Sequence, residues 1–197
     1  MWIKICGMTT AAAVDAALAA QVDAIGFVFA SSPRELTPAS AARLARAARG
    51  RVRCVAVMQH PDQAAVDEVL RVFAPDLLQS DAEDFTRLRL PAALDTLAVV
   101  REGAALPAPL PARIVFEGPA SGRGRVSDWS AAAALARHTQ LVLAGGLSEE
   151  NVGDAVARVR PFGVDVSSGV EESPGIKSPA AIARFVAAVR AADAVSV

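Results

Sequence analysis

The chain has 197 residues, 53% of them hydrophobic and 21% charged, so it has the length and composition of a globular protein with one large core. Its formal net charge is -1 and it has no basic block, which argues against nucleic acid or an anionic membrane surface as a partner. No uncharged apolar run approaches the roughly 18 residues of a membrane span, so we expect no membrane insertion.

Eight strand-like runs follow one another along the chain. Most are continuous apolar runs rather than clean alternations, which is typical of parallel strands covered on both faces. In chain order they are Trp2–Cys6, Ala24–Phe29, Arg53–Met58, Pro75–Gln79, Leu94–Val100, Arg113–Glu117, Leu141–Gly145 and Phe162–Ser167.

Helical patterns lie between these runs. The apolar spacing i, i+3, i+4, i+7 indicates amphipathic helices after the third run and near the end of the chain (Val66, Val69, Leu70 and Phe73; Ile182, Phe185, Val186 and Val189). Thr37 and Ser178, each followed by a proline, predict helix starts, and Ser148 predicts another.

Eight strand–helix units without a long linker predict a (β/α)8 TIM barrel that occupies residues 1–197 as one domain. The alternative is an open doubly wound sheet, but no GxGxxG motif follows the first strand. The segment Gly103–Pro111 (GAALPAPLP) is rich in proline, so we expect a degraded fifth helix there.

The cysteine and histidine content predicts no metal site. Two cysteines, Cys6 and Cys54, cannot form a zinc site alone, and His60 and His138 lie at no metal-ligand spacing. The chain opens on a strand rather than a secretory signal, so we expect a cytoplasmic protein with free thiols.

Two small-residue turns predict a phosphate site. In a TIM barrel the loops after the strands form the active site, and phosphate often binds after strands seven and eight. Here those loops contain Gly145 and Gly146, and then Ser167, Ser168 and Gly169. Glycine lets backbone N–H groups approach an anion, although either turn alone is also compatible with an ordinary tight loop.

The motifs KICGMT, GFVF followed by SSPR, LAGGLSEENV and VDVSSGVEESPGIKS together resemble phosphoribosylanthranilate isomerase of tryptophan biosynthesis. The resemblance extends from Lys4 to the last helix. It implies an Amadori rearrangement of N-(5-phosphoribosyl)anthranilate to 1-(2-carboxyphenylamino)-1-deoxyribulose 5-phosphate, by general acid and base catalysis. It also implies that no cofactor is needed, because the iminium intermediate is the electron sink.

Cys6 matches the general base of this family, at the point where the first strand turns at Gly7. Lys4, two residues earlier, should point to the same side of the strand, where its charge would favour a thiolate, and we expect it to be among the substrate-binding residues. Asp165 matches a family aspartate, which we expect to bind a sugar hydroxyl or to pair with Lys4. Cys54, in the middle of a strand, is expected to be an inert buried thiol.

Two positions depart from the family pattern. Glu117 ends the sixth strand, where the family usually has an aspartate as general acid, and its carboxyl lies one methylene further from the backbone. After the fourth strand the family reads Q-L-H-G and this chain reads Gln79-Ser80-Asp81-Ala82, so Gln79 is kept for substrate binding and the histidine is absent. Arg34 matches the arginine that binds the anthranilate carboxylate, a good partner for a guanidinium.

Gly122 and Gly124 match a mobile glycine-rich loop after strand six, which would close over the substrate. We expect a phosphorylated sugar as ligand and a monomer or homodimer. Two alternatives stay open at this point. One is a different sugar-phosphate barrel enzyme, and the other is a non-catalytic barrel that only binds a phosphate ligand, which the departures at Glu117 and Ser80-Asp81 would favour.

Overall fold

A computed structural model describes residues 1–119 and 126–195, without the side chain of residue 195. Eight parallel strands close into a barrel in the order β1 to β8, and β8 pairs back with β1. The strands are β1 (Trp2–Cys6), β2 (Ala24–Val28), β3 (Arg53–Val57), β4 (Leu77–Asp81), β5 (Asp95–Arg101), β6 (Arg113–Glu117), β7 (Gln140–Leu143) and β8 (Gly163–Val166). The predicted barrel is therefore confirmed, and the open-sheet alternative is wrong.

Six α-helices in the described ranges 1–119 and 126–195 surround the barrel. They are α1 (Ala11–Ala19), α2 (Pro38–Leu44), α3 (Gln63–Val72), α4 (Trp129–Leu135), α5 (Val152–Val159) and α6 (Pro179–Val195). Thr37 caps α2 as predicted, because its side chain accepts a hydrogen bond from the Ser40 N–H. Ser148 does not cap a helix: its own N–H donates to Asn151 Oδ1, and α5 begins only after Asn151.

The outer layer is thinnest beside β4 and β5. No helix forms between β5 and β6, which confirms the degraded fifth helix predicted from the prolines. The segment after β4 is reduced further than predicted, to a 3-10 helix over Ala82–Thr86. Partly buried side chains, among them Phe85, Leu94 and Leu110, cover the barrel there in place of a helix.

Strand alternation divides the apolar core into two parts. One cluster fills the barrel interior, with Val55, Leu97, Val115 and Val142 among its members. The larger cluster lies between the strands and the helices. Because successive side chains point to opposite faces of a strand, the residues that continue the interior rows towards the C-terminal strand ends point into the barrel mouth.

A short antiparallel pair, β9 (Glu171–Ser173) and β10 (Ile176–Lys177), follows β8. It lies between a 3-10 turn at Ser168–Val170 and α6, and it was not predicted from the sequence. No helix in the described part of the chain is both long and apolar enough to cross a membrane.

Candidate active site

A cavity opens at the C-terminal ends of the barrel strands. Most of the residues singled out in the sequence meet there, although they are up to 162 positions apart. Its lining includes Cys6, Arg34, Gln79, Asp81, Arg101, Glu117, Gly145, Gly146, Asp165, Ser167 and Ser168.

Cys6 ends β1, and its neighbour Lys4 lies beneath it inside the barrel. Lys4 is fully buried and donates a hydrogen bond from Nζ to Asp165 Oδ2 at 2.7 Å. Burial alone would lower the pKa of Lys4, but the negative charge of Asp165, and that of Cys6 when it is a thiolate, outweigh it and raise that pKa. Lys4 does not line the cavity, so it acts on Cys6 from below rather than on a ligand.

Space for the Cys6 thiol depends on Gly26 of β2, which lies beside Cys6 in the strand register. A Cβ atom at this position would lie 2.9 Å from Cys6 Sγ and 3.3 Å from Lys4 Cε. The glycine of the GFVF motif therefore leaves room for the thiol and the ammonium. The motif was recognisable in the sequence, but no function was predicted for its glycine.

Burial raises the pKa of the Cys6 thiol above its ordinary value, although the positive charge of Lys4 acts in the opposite direction. At neutral pH the thiol form therefore predominates, and the thiolate fraction increases as pH rises through that raised pKa. A thiolate formed from a weaker acid is a stronger base, but less of it is present at neutral pH, so the two effects oppose each other in the removal of a carbon-bound proton.

Alkylation of Cys6 by iodoacetamide is expected to accelerate about tenfold per pH unit and to be still rising at pH 9, because only the thiolate reacts. The measurement uses a Cys54→Ala background, which leaves Cys6 as the only thiol. Mass spectrometry follows the modified fraction between pH 7 and pH 10. A rate that levels off below pH 8 would contradict the raised pKa.

The Lys4–Asp165 pair should also stabilise the fold. Lys4→Met leaves the buried Asp165 carboxylate without its cation, so we expect the free energy of unfolding to fall by about 3–5 kcal/mol in urea titrations. The matched control is Arg184→Gln, which removes an exposed ion pair to Glu149 and should cost much less. Equal losses for the two variants would contradict a special contribution from the buried pair.

Arg101, at the end of β5, joins two carboxylates across the mouth. Its Nε donates to Asp81 Oδ1 at 2.7 Å, and its Nη1 donates to Glu117 Oε1 at 2.6 Å. Arg101 is aligned with Glu117 in the β5–β6 register, and Asp81 ends the neighbouring β4. The arginine therefore fixes the orientation of Glu117, whose longer side chain departs from the family aspartate.

Arg34, in the loop after β2, reaches the cavity from the side of β9. Its Nε and Nη2 donate to the two carboxylate oxygens of Glu171 at 2.7 and 2.8 Å. Its stem lies against Gly7, where a Cβ atom would come within 2.5 Å of Arg34 Cδ and the backbone has a φ of 81°. Arg34 is thus rigidly held beside the strand that carries Cys6.

The residues predicted to bind phosphate fall into two groups. Gly145, Gly146, Ser167 and Ser168 line the cavity, and both glycines have positive φ angles. Gly169 does not line it: a Cβ atom there would lie only 1.9 Å from the Leu147 carbonyl oxygen, so Gly169 lets the loops after β7 and β8 pack together. Gly122 and Gly124 lie outside the described residues.

Four charged residues of this region were given no role from the sequence: Asp81, Arg101, Glu171 and Lys177. Asp81 and Arg101 follow the predicted fourth and fifth strands and end β4 and β5 in the structure, so their position was a usable signal. Glu171 and Lys177 belong to the VEESPGIK motif, but nothing in their spacing shows which partners they have.

Among the described residues, one group of side chains has donor atoms close enough for a metal ion: His60, Asp81 and Asp84, within 4.8 Å of one another. Asp84, however, already accepts hydrogen bonds from Ser80, Arg87 and the His60 N–H. A carboxylate with these donors is a poor metal ligand, so the group is better described as a hydrogen-bonded support at the edge of the site.

Comparison with known proteins assigns the family. The family model for N-(5'phosphoribosyl)anthranilate (PRA) isomerase matches residues 3–188. An N-(5'-phosphoribosyl)anthranilate isomerase of Azorhizobium caulinodans is 40% identical, over 98% of this chain and 93% of that protein.

Solved structures agree with this assignment. The phosphoribosyl anthranilate isomerase of Thermus thermophilus has a TM-score of 0.85 and 26% identity, over 97% of this chain and 99% of that one. Another such isomerase, in complex with reduced 1-(o-carboxyphenylamino)-1-deoxyribulose 5-phosphate, has a TM-score of 0.79 and 26% identity over the same shares. The chain belongs to the phosphoribosylanthranilate isomerase family and converts N-(5'-phosphoribosyl)anthranilate to 1-(2-carboxyphenylamino)-1-deoxyribulose 5-phosphate in tryptophan biosynthesis.

Proposed function

We propose that Cys6 is the general base and Glu117 the general acid of this isomerisation. The observation that carries the proposal is that β1 and β6 direct a thiol and a carboxylate into one cavity whose rim is formed by the glycine and serine loops after β7 and β8. Neither the other sugar-phosphate barrels considered above nor a barrel that only binds phosphate needs both of these groups.

The isomerisation proceeds by proton donation followed by proton removal. Glu117 donates a proton to the furanose ring oxygen while the C1–O bond breaks, and the nitrogen lone pair forms the C1=N bond of an iminium. The Cys6 thiolate then removes the C2 proton, and the electrons of that bond form C1=C2 and return a lone pair to nitrogen. The resulting enolamine tautomerises to the ketone by losing the proton from its hydroxyl and gaining one at C1.

Arg101 assists the first proton transfer by stabilising the ionised form of Glu117. Once Glu117 has lost its proton, the guanidinium at 2.6 Å stabilises the carboxylate that remains. The contact also sets the position of the carboxyl oxygen, which matters because a displacement of about 1 Å can cost about 10²-fold in rate.

The remaining site residues bind the substrate in this proposal. The phosphate lies against Gly145, Gly146, Ser167 and Ser168, and Arg34 binds the anthranilate carboxylate. Buried Gln79 Oε1 and Asp165 Oδ1 accept no hydrogen bond within the described ranges 1–119 and 126–195, so sugar hydroxyl groups are suitable donors for them.

The assay that tests this proposal generates N-(5-phosphoribosyl)anthranilate in place and follows the loss of its fluorescence. Rapid loss with the wild-type protein is expected, and it should scale with protein concentration. A folded Cys6→Ala or Glu117→Gln protein that removes the fluorescence as fast as the wild type would overturn the proposed acid–base pair.

We also propose that the chain is one domain, residues 1–197, acting in the cytoplasm as a monomer or homodimer. The closed barrel supports a single domain, because β8 pairs with β1 and so joins the first and last strands of the barrel. One cooperative unfolding transition and a mass by light scattering of one or two chains are expected. Two separate transitions would contradict the single domain.

A further inference from the structure

A buried chain of polar contacts connects Arg34 with the loop after β8. Glu171 accepts from Arg34 on both carboxylate oxygens, and its Oε1 also accepts from Lys177 Nζ at 2.6 Å. Lys177 Nζ donates in addition to the carbonyl oxygen and the hydroxyl of Ser167, at 2.9 and 3.1 Å. Ser167 then donates from Oγ to the carbonyl oxygen of Cys6 at 3.0 Å.

The charges of this network keep it rigid. The Glu171 side chain is 6% exposed and that of Lys177 is fully buried. Burial alone would raise the pKa of Glu171, but hydrogen bonds from Arg34 and Lys177 outweigh it and hold that pKa below its ordinary value. One ionised carboxylate therefore holds two cations in fixed positions, and breaking either contact would leave a buried charge without its partner.

The network joins the two parts of the cavity that the proposed function assigns to the two ends of the substrate. Arg34 lies at the end expected to bind the aromatic carboxylate, and Ser167 lies at the end expected to bind phosphate. Glu171 uses Nε and Nη2 of Arg34, while Nη1 makes no hydrogen bond to the described residues and is left for a ligand carboxylate. The same Glu171 oxygen contacts both cations, so a shift at one end displaces the other.

We propose that Glu171 and Lys177 couple the two subsites, so that binding of a phosphate group after β8 strengthens the binding of an aromatic carboxylate at Arg34, and the reverse. A ligand that fixes Ser167 also fixes Lys177 and Glu171, and through them it restricts Arg34. Arg34 therefore loses less conformational entropy when it binds the second ligand. Such coupling is reciprocal by thermodynamic necessity. This inference rests on the proposed function for the identity of the two ligands, and Glu171 acts in it as a positioning residue.

The test measures the dissociation constant of anthranilate with and without saturating inorganic phosphate, by fluorescence or calorimetry. In the wild-type protein, phosphate is expected to tighten anthranilate binding by about fivefold or more. In Glu171→Gln the ratio should fall to about one. Glu172→Gln changes the adjacent, exposed glutamate and should keep the wild-type ratio.

Several results would overturn the coupling. The first is a wild-type protein whose dissociation constant for anthranilate is the same with and without phosphate. The second is anthranilate binding that stays undetectable at saturating phosphate. The third is a Glu171→Gln protein in which phosphate tightens anthranilate binding as much as in the wild type. Failure of the proposed function is distinguishable, because it appears as a Cys6→Ala or Glu117→Gln enzyme that keeps the wild-type rate while the wild-type protein still couples the two ligands.

A second readout separates positioning from general destabilisation. Glu171→Gln should raise KM for phosphoribosylanthranilate at least tenfold while kcat changes much less, because the lost interaction serves binding of the ground state and transition state alike. Thermal unfolding of the same sample shows whether the variant is folded. A selective fall in kcat with unchanged KM would contradict a positioning role in binding.

Discussion

Replacing Cys6 with alanine is expected to lower kcat by roughly 10²–10⁴-fold, the usual contribution of a general base. Alanine cannot accept the C2 proton, and Lys4 beneath it has no route to the ligand because it does not line the cavity. Stopped-flow fluorescence of phosphoribosylanthranilate gives kcat, and titration with the reduced product analogue gives its dissociation constant. That constant should change little, since alanine leaves both ligand ends in place.

Cys54 provides the matched control for this experiment. It is fully buried within β3, and burial raises its pKa to about 11, so it is an unreactive thiol at neutral pH. Cys54→Ala should therefore retain near wild-type kcat. A Cys6→Ala enzyme with the wild-type rate would remove the thiol from the mechanism.

Glu117→Gln is expected to lower kcat by a similar factor, because an amide cannot supply the proton that the ring oxygen needs. Glu117→Asp restores the residue usual in the family, but the shorter side chain moves the carboxyl away from Arg101 Nη1. We therefore expect the aspartate variant to lose up to about 10²-fold rather than to gain activity. The same kinetic assay measures both variants.

Glu102 is a suitable comparison for Glu117. It lies directly after β5 and accepts a hydrogen bond from the Asp128 N–H, outside the cavity lining. Glu102→Gln should leave kcat near the wild-type value. If Glu117→Gln is as active as Glu102→Gln, the proton comes from another group.

The barrel was predictable because its signal is local. Apolar runs at regular spacing identify the strands, and the residues that end them identify the mouth, which is how Cys6 and Glu117 were found. Strand ends were less accurate: the prediction ended the fourth strand at Gln79, whereas β4 continues to Asp81. Pairing with β5 extends the strand there, and sequence alone does not give that register.

The ion pairs of the site were not predictable, because they form only once the strands have paired. Lysine is rarely fully buried, so a sequence gives no cause to place Lys177 inside, and its partner Glu171 becomes close only when β9 and β10 pair. Arg101 likewise meets Asp81 and Glu117 only because the pairing of β4, β5 and β6 aligns three strand ends. Such contacts depend on the whole topology rather than on neighbouring residues.

The thin outer layer beside β4 and β5 has a consequence for local stability. A helix holds its backbone amides in its own hydrogen bonds, whereas the extended chain after β5 offers few such partners. Amide hydrogens in residues 102–112 should therefore exchange with solvent faster than those of α5 or α6, while β5 itself stays protected by ladders to β4 and β6. The catalytic groups are carried by the protected strands. The thin outer layer can therefore open locally without disturbing them.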